Sequence, residues 1–417
     1  MFSLYFFVFL LVESIINHNA AILLSANAVN YIYIVGLLFG VVGYLIYGCY
    51  PNYHRVAFIV TLVSIFPTIE ANNVYINLIS SCFSLTAIGY IGGYVHHLLA
   101  RYVVEDDNAG KRIGIAAGIA VAFQFLYQNF NAPSWLLMII VSVFCMLGFE
   151  SKPIEQFNTK IECCCHNNLK VLMLAVFIMS VILSFNDSLM AYLDANNDVS
   201  LFSAVRLFYC LGLILSGIIY DIDEHKYFNL VTLCVMFLSV VSACFLTDPM
   251  FYNLNMSLMY FYSGFYVMFL TIGFADLSAN QTYNPRISGL GRIVRGISSS
   301  VTIGILSLTN LNNPLIIIIL SCLLCIGLLL VFVRSGTLIE TRKFSKKERL
   351  DQFVSTYHLT NKETEVFDKL VNSEDNIQEI ASELFISKRV LERHISSIYN
   401  KTGTKTRVGL INLYHSI

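Results

Sequence analysis

Charge is what this chain has least of. Only 13% of its 417 residues are Asp, Glu, Lys or Arg, about half the share of an ordinary globular domain. That scarcity excludes a protein solvated on every side. The formal net charge is −1, so no global basic field marks the whole chain for nucleic acid. No basic segment precedes the first apolar run, FSLYFFVFLLVESII, and no small-residue cleavage site follows it. A cleaved secretory signal is therefore not expected. A phosphate-binding glycine loop, a nucleophile elbow, a zincin helix, a kinase signature and a dinucleotide fingerprint are also missing. We expect no enzyme and no cofactor.

What fills the chain instead is apolar: 56% of residues are hydrophobic, with 31 Phe and 24 Tyr. These residues are organised in blocks of the length that spans a ~30 Å hydrocarbon layer. Twelve helices are predicted, at about 3–24, 29–49, 55–69, 73–100, 111–129, 133–149, 169–191, 199–220, 227–246, 251–275, 287–309 and 313–333. Of the eleven cysteines, Cys49, Cys82, Cys145, Cys210, Cys234, Cys244, Cys322 and Cys325 lie in or beside these spans, where Cys packs as a small apolar residue. Cys163, Cys164 and Cys165 are adjacent and diverge, which reads as a reduced loop rather than a metal site.

Basic residues fix an orientation. Arg55, Arg101, Lys111, Arg112, Lys152, Lys160, Lys170, Lys226, Arg286, Arg292, Arg295, Arg334, Arg342 and Lys343 fall at or near the loops after even-numbered helices. The odd loops offer Glu70, Asn129, Asp194, Asp198 and Asp248 instead. By the positive-inside rule both termini are cytoplasmic.

A weak internal symmetry runs through the region. Glu13 in VES answers Asp187 in NDS, and Gly43 answers Gly217, both at a separation of 174. Two halves of six helices, about 1–149 and 169–334, with a longer central loop, resemble the major facilitator superfamily of transporters. The superfamily's loop signature is Gly-x-x-x-Asp followed by clustered basic residues. Gly217 and Asp221 match it, whereas IDEHK leaves one Lys, and Tyr47 stands in place of the Asp in the first half.

Charges inside spans cost ~2.5 kcal/mol or more and need a reason. Arg206 is expected about six residues inside helix 8, Asp187 near the outer end of helix 7, and Glu13 at the symmetric place on helix 1. The resemblance implies that helices 1 and 7 face a central cavity, where Glu13, Asp187 and Arg206 would bind a small-molecule ligand. A purely structural ion pair between Asp187 and Arg206 is the competing reading. His96, His97, Arg101, Arg292, Arg295 and Asp276 read equally as ion pairs of an inner gate or as headgroup contacts.

Composition changes after about Ser345, where eleven basic and ten acidic residues follow. Leu350, Phe353, Val354 and Tyr357 form the stripe of a lead-in helix. Thr360 and Glu363 have capping-box spacing ahead of Val366, Phe367 and Leu370. A helix at about 377–385 is followed by one capped by Ser387 and ended by Gly403, and Thr404 is expected to cap a last helix carrying Val408, Ile411 and Leu413. Two short helices on a tight turn, the second bearing outward cations, make a helix-turn-helix.

LTNKETEV, IQEIASELFIS and HISSIYNKTGTKTR closely resemble the LuxR-type DNA-binding domain, whose pattern runs L-T-x-R-E-x-E-V, I-A-x-x-L-x-[IV]-S-x-x-T-V-K-x-H and I-Y-x-K-x-G. The resemblance implies a four-helix domain that enters the major groove of double-stranded DNA and pairs as a homodimer through its last helix. Expected DNA contacts are Ser387, Lys388, Arg389, Glu392, Arg393, His394, Lys401, Lys405 and Arg407. Three residues depart from the pattern: Lys362 for Arg, Val390 for Thr, and Glu392 for the Lys of T-V-K. A carboxylate there repels phosphate but accepts from a cytosine amino group.

The sequence thus describes an all-α protein: a twelve-helix membrane domain over 1–334, a linker and lead-in helix over 335–356, and a LuxR-type domain over 357–417. Its partners would be the lipid bilayer, DNA and an unknown ligand. A membrane-bound one-component transcriptional regulator is the leading reading, and a transporter with a regulatory tail is the alternative. Reporter fusions check the topology. Fusions after Ile417 and near Asn158 should report cytoplasm and one near Asn196 the exterior; a cytoplasmic signal at Asn196 would overturn the helix count of the second half.

Overall fold

A computed structural model describes residues 1–23, 26–70, 73–106, 108–130, 133–150, 166–195, 203–245, 249–280, 284–309, 314–338, 350, 353–354, 356–372, 376–404 and 406–415. The triple cysteine, Lys405 and most of the linker lie outside them. The protein is all-α and divides into two compact units, Met1–Glu340 and Thr341–Ile417.

Unit one contains α1 (Phe2–Leu23), α2 (Ala26–Cys49), α3 (His54–Glu70), α4 (Val74–Glu105), α5 (Ala109–Asn129), α6 (Ser134–Phe149), α7 (His166–Ala195), α8 (Leu207–Asp221), α9 (Phe228–Ala243), α10 (Tyr252–Asn280), α11 (Leu290–Thr309) and α12 (Pro314–Ser335). Among the described residues eight of these are long and apolar enough to cross a membrane, and α6 and α9 are shorter apolar helices.

On α12, Leu315, Ile319, Leu323, Ile326, Leu330 and Val333 share one exposed face, while Ile317, Ser321, Cys325, Leu328 and Phe332 are buried on the other. A stripe of that size facing outward is stable only against lipid. Unit one is a multi-pass membrane domain.

Local chemistry sets where the helices begin and break. Asn73 starts α4, its Oδ1 accepting from the backbone N–H groups of Tyr75 and Ile76 at 3.0 and 3.3 Å. Pro67 does not interrupt α3, which runs on to Glu70. In the last turn Thr68 O accepts amide N–H groups from Asn19 and Asn77, both at 2.9 Å, so this carbonyl at the helix end has partners. The expected helix over 199–220 is shorter. A single 3-10 turn, Ala204–Arg206, precedes α8, so Arg206 sits at the helix edge rather than two turns inside. Likewise Pro285–Ser288 is a separate turn, capped by Asn284, that ends at Gly289 before α11 begins.

The halves α1–α6 and α7–α12 meet chiefly through α5 against α8, α2 against α11, and α4 against α10. We call the end bearing Arg55, Lys111, Arg112, Arg286 and Arg334 the basic end. There α5 crosses α8 on glycine: a β-carbon at Gly217 would collide with the carbonyl oxygen of Gly110 and one at Gly114 with that of Leu213. Asp221 closes the crossing, accepting the N–H groups of Gly110 at 2.9 Å and Lys111 at 2.7 Å. These are two otherwise orphaned donors at the start of α5.

Unit two contains α13 (Asn361–Asn372), α14 (Ile377–Glu383), α15 (Lys388–Thr402) and α16 (Arg407–His415). Its core is Phe353, Leu359, Val366, Phe367, Leu370, Ile380, Ala381, Leu391, Ile395, Ile398, Leu410 and Tyr414. Phe353 stacks on Phe367 with ring centroids 4.3 Å apart, and Tyr414 meets both rings edge-on.

The α5–α8 crossing has no room for a side chain. Gly217→Val should lower the thermal unfolding temperature of the purified protein by an amount equivalent to about 1–3 kcal/mol of overpacking. An unchanged unfolding temperature would show that the crossing is loose.

Candidate functional sites: a membrane cleft and a nucleic-acid interface

The cleft in unit one lies between α1, α2, α4 and α11. The cleft and its open mouth together span about 600 Å³ of empty space, a small-molecule scale and not a macromolecular one. Its walls are mostly apolar (Phe9, Ile16, Leu37, Val41, Leu85), and Glu13, Asn17, Tyr33, Tyr44, Arg292 and Arg295 interrupt them. The floor is at the basic end. There the Tyr5 and Tyr44 hydroxyls hydrogen-bond at 2.7 Å and Tyr47 meets His97 Nδ1 at 2.7 Å. Gly296 lets Val41 of α2 approach α11 across the two halves.

Of the three predicted ligand residues Glu13 lines the cleft, Arg206 is among its charged neighbours, and Glu13 is in turn a charged neighbour of Asp187. Glu13 lines the cleft and is hydrogen-bonded by Tyr33, and its strongest charged neighbour is Arg295, followed by Arg292. Asp187 is exposed on α7 and is not among the lining residues; its charged neighbours are Arg295 and then Glu13. Arg206 donates from Nη1 to Gln128 and from Nη2 to Gln124, both at 3.2 Å. Gln128 donates in turn to Ser14, at 2.9 Å. Arg206 is therefore tied to α5 through glutamines.

Arg295, expected at an inner gate or at lipid headgroups, is the leading charged neighbour of both Glu13 and Asp187. Its position on α11, three residues after Arg292, was the available signal. Arg292 Nε donates to His96 Nε2 at 3.5 Å. Among the described residues no group of three His, Cys, Asp or Glu could hold a metal ion.

In unit two the geometry is that of a helix-turn-helix. Asn376 and Glu379 form a reciprocal capping box for α14, a cap that an N-x-x-E spacing signals in sequence. α14 stops at Glu383 because Phe385 takes a left-handed φ of 55°. Ser387 then caps α15, accepting from Val390 N–H at 3.4 Å. Gly403, with φ 70°, ends α15 in the conformation that glycine adopts without strain. The last helix is capped differently from the expectation. Thr406 accepts from Gly409 N–H at 3.0 Å, while Thr404 bonds Thr402 at 2.8 Å. That start places Leu410 and Tyr414 in the core and leaves Ile411 half-buried.

Lys388, Arg389 and Arg393 are exposed on α15. Glu392 is exposed with them, its carboxylate 4.0 Å from Lys388 Nζ one turn back. His394 is half-buried. Two other expected contacts are engaged within the fold. Arg407 Nε donates to Leu370 O at 2.8 Å. Lys401 Nζ donates to Glu363 at 2.6 Å and to His358 O at 2.9 Å. Glu363 is the hub of that region: it also accepts from Ser397 at 2.6 Å, Thr360 N–H at 2.8 Å and the Thr360 hydroxyl at 2.9 Å, and is 4% exposed.

Residues 357–414 match the family described as bacterial regulatory proteins, luxR family. Over 56 residues the chain is 46% identical to the spore germination protein GerE of Bacillus subtilis (strain 168), covering 13% of this chain and 74% of that protein. The chain belongs to the luxR family. In this luxR-family chain the DNA-binding unit is joined to a membrane domain of another fold. That fold is similar to the crystal structure of the E. coli fucose:proton symporter FucP, with TM-score 0.58, 13% identity, and coverage of 82% of this chain and 98% of that chain. It is also similar to the human organic anion transporter MFSD10 (TETRAN), with TM-score 0.54, 12% identity, and coverage of 79% and 96%. The likeness is one of fold, that of the major facilitator transporters.

Burial pushes the Glu363 carboxyl up, but the Lys401, Ser397 and Thr360 hydrogen bonds outweigh it and hold it at about 2, down from 4.5. A depressed folded value means stability that is complete above the unfolded value and is lost as pH falls from about 5 towards 2. Glu363→Gln should destabilise residues 345–417 by about 1–3 kcal/mol at pH 7 and flatten that acid dependence. Thermal unfolding between pH 7 and pH 3 measures both, and an unchanged profile in the variant would remove Glu363 from the hub.

Proposed function

We propose that this protein is a membrane-bound one-component transcriptional regulator. Its helical unit senses a small molecule, and its luxR-type unit reads promoter DNA on the cytoplasmic side of the inner membrane. One observation carries the reading: a helix-turn-helix with a cationic reading face shares a chain with a membrane bundle that holds a charged cleft. The loop distribution of Lys and Arg supports cytoplasmic termini. No chemistry of its own is required. A ligand preferring one arrangement of the two halves would shift the end of α12, which leads into the DNA-reading unit. A differential affinity of ~1–3 kcal/mol gives a 5- to 150-fold switch. Two tails pairing on DNA through α16 would complete the device.

A transporter is the second reading. Asp221, placed as in the resembled superfamily's loop signature, caps α5 across the halves as a hinge of a moving carrier would.

The decisive experiment joins DNA capture to a promoter reporter. The full chain should retain a fragment of its own upstream region, and Arg393→Ala should weaken retention and reduce the salt slope by about one phosphate contact. Glu13→Gln, in the cleft wall, should leave membrane abundance and DNA retention intact while removing the response to an inducer. Retention of no genomic fragment at low salt would sink the regulator. Ligand uptake that persists after deletion of residues 345–417 would favour the transporter.

A further inference from the structure

Arg292 is a buried cation that the protein leaves incompletely satisfied. It is 7% exposed and lines the cleft. Its Nε donates to His96 Nε2 at 3.5 Å. That acceptor is available because His96 Nδ1 is engaged with Gly92 O at 2.7 Å, a contact in which the ring nitrogen must donate. The guanidinium carbon sits 5.6 Å from the centroid of the Phe6 ring. Nη2 is buried and has no hydrogen-bond partner.

The nearby carboxylates are committed elsewhere. Arg295 is the first charged neighbour of both Glu13 and Asp187, and Tyr33 already donates to Glu13. No carboxylate lies within 4.0 Å of Arg292 among the described residues. A guanidinium cannot shed its proton to escape burial, and a buried charged donor left unmet is costly. The missing group is therefore an anionic oxygen approaching from the cleft. The remaining walls restrict what it can belong to. Glu13 in the same cleft repels a second anionic group, and Phe9, Val41 and Leu85 favour an apolar body.

We propose that the cleft is an organic-anion site in which Arg292 Nη2 holds the carboxylate head of a small monoanion with an apolar body. The proposal rests on reading the cleft as the sensing site and names the chemistry it senses. A soluble carboxylic acid and a free fatty acid share that chemistry.

The test is thermal unfolding of the purified full chain in neutral detergent. Probes are hexanoate, benzoate and laurate, the uncharged hexanamide and benzamide, and the dianion succinate. At least one monoanion should raise the unfolding temperature, while the amides and succinate should not. Stabilisation by hexanoate or benzoate identifies a soluble ligand; stabilisation by laurate alone identifies a lipid-derived one. Arg292→Lys keeps the charge but loses the planar donor set, and should weaken the binding about tenfold or more. Arg292→Met removes the unsatisfied charge, so the ligand-free protein should unfold at a higher temperature and respond to no acid.

Amides that stabilise as well as acids would overturn the proposal, as would stabilisation by no monoanion or an undiminished acid response in Arg292→Lys. Failure here leaves DNA retention intact. Failure of the regulatory reading would instead abolish DNA retention while acid binding persists.

Discussion

Everything in the membrane unit depends on how closely α5 and α8 approach at the basic end. Gly110, Gly114 and Gly217 allow backbone to touch backbone, and Asp221 fastens the crossing through two N–H groups that an α-helix leaves unpaired. With the halves joined there, α2 meets α11 through Gly296 and Val41. The Tyr5–Tyr44 pair then forms the floor of a cleft. Arg292 and Arg295 on α11 come to face Glu13 on α1, residues that lie about 280 positions apart in sequence. A side chain at any of the three glycines would separate the surfaces on which the cleft is built.

The DNA-reading unit has its own organising group. Glu363 receives hydrogen bonds from the start of α13 and from two residues near the end of α15, which explains why an acidic residue follows the opening Leu-Thr in a domain that must bind phosphate. Lys401 is held there and Arg407 is held by Leu370 O. Lys388, Arg389 and Arg393 are thus left exposed on α15, with Glu392 offsetting part of their charge.

Helices were legible because a span of apolar residues and a capping pair are local properties. The Thr360–Glu363 box, the Ser387 cap and the Gly403 stop could be read directly from spacing. What sequence did not reveal was decided by encounters between distant segments. Arg206 looked like a partner for Asp187 because both lie in adjoining spans, yet it reaches Gln124 and Gln128 of α5. Arg295 looked like a gate residue because helix boundaries place it near the basic end, but crossing helices bring it to Glu13. In α16, which starts at Arg407, Leu410 and Tyr414 enter the core while Ile411 and Leu413 are half-buried at its edge, a division set by what the helix packs against.

The crossing of α5 on α8 also has a bearing on the surroundings in which the protein works. Its fastening is a carboxylate on backbone amides, and the cleft floor is a pair of uncharged hydroxyls. Counterions have little to displace in either, since packed backbone and hydroxyl contacts present no exposed ion pair for salt to screen. The reading helix is the opposite case, because its contacts with phosphate would release condensed cations. On the regulatory reading proposed above, a rise in cell osmolarity would therefore loosen the grip on DNA while leaving the α5–α8 crossing intact. Ionic strength would then act on the DNA side of such a regulator and not on the joint that holds its membrane halves together.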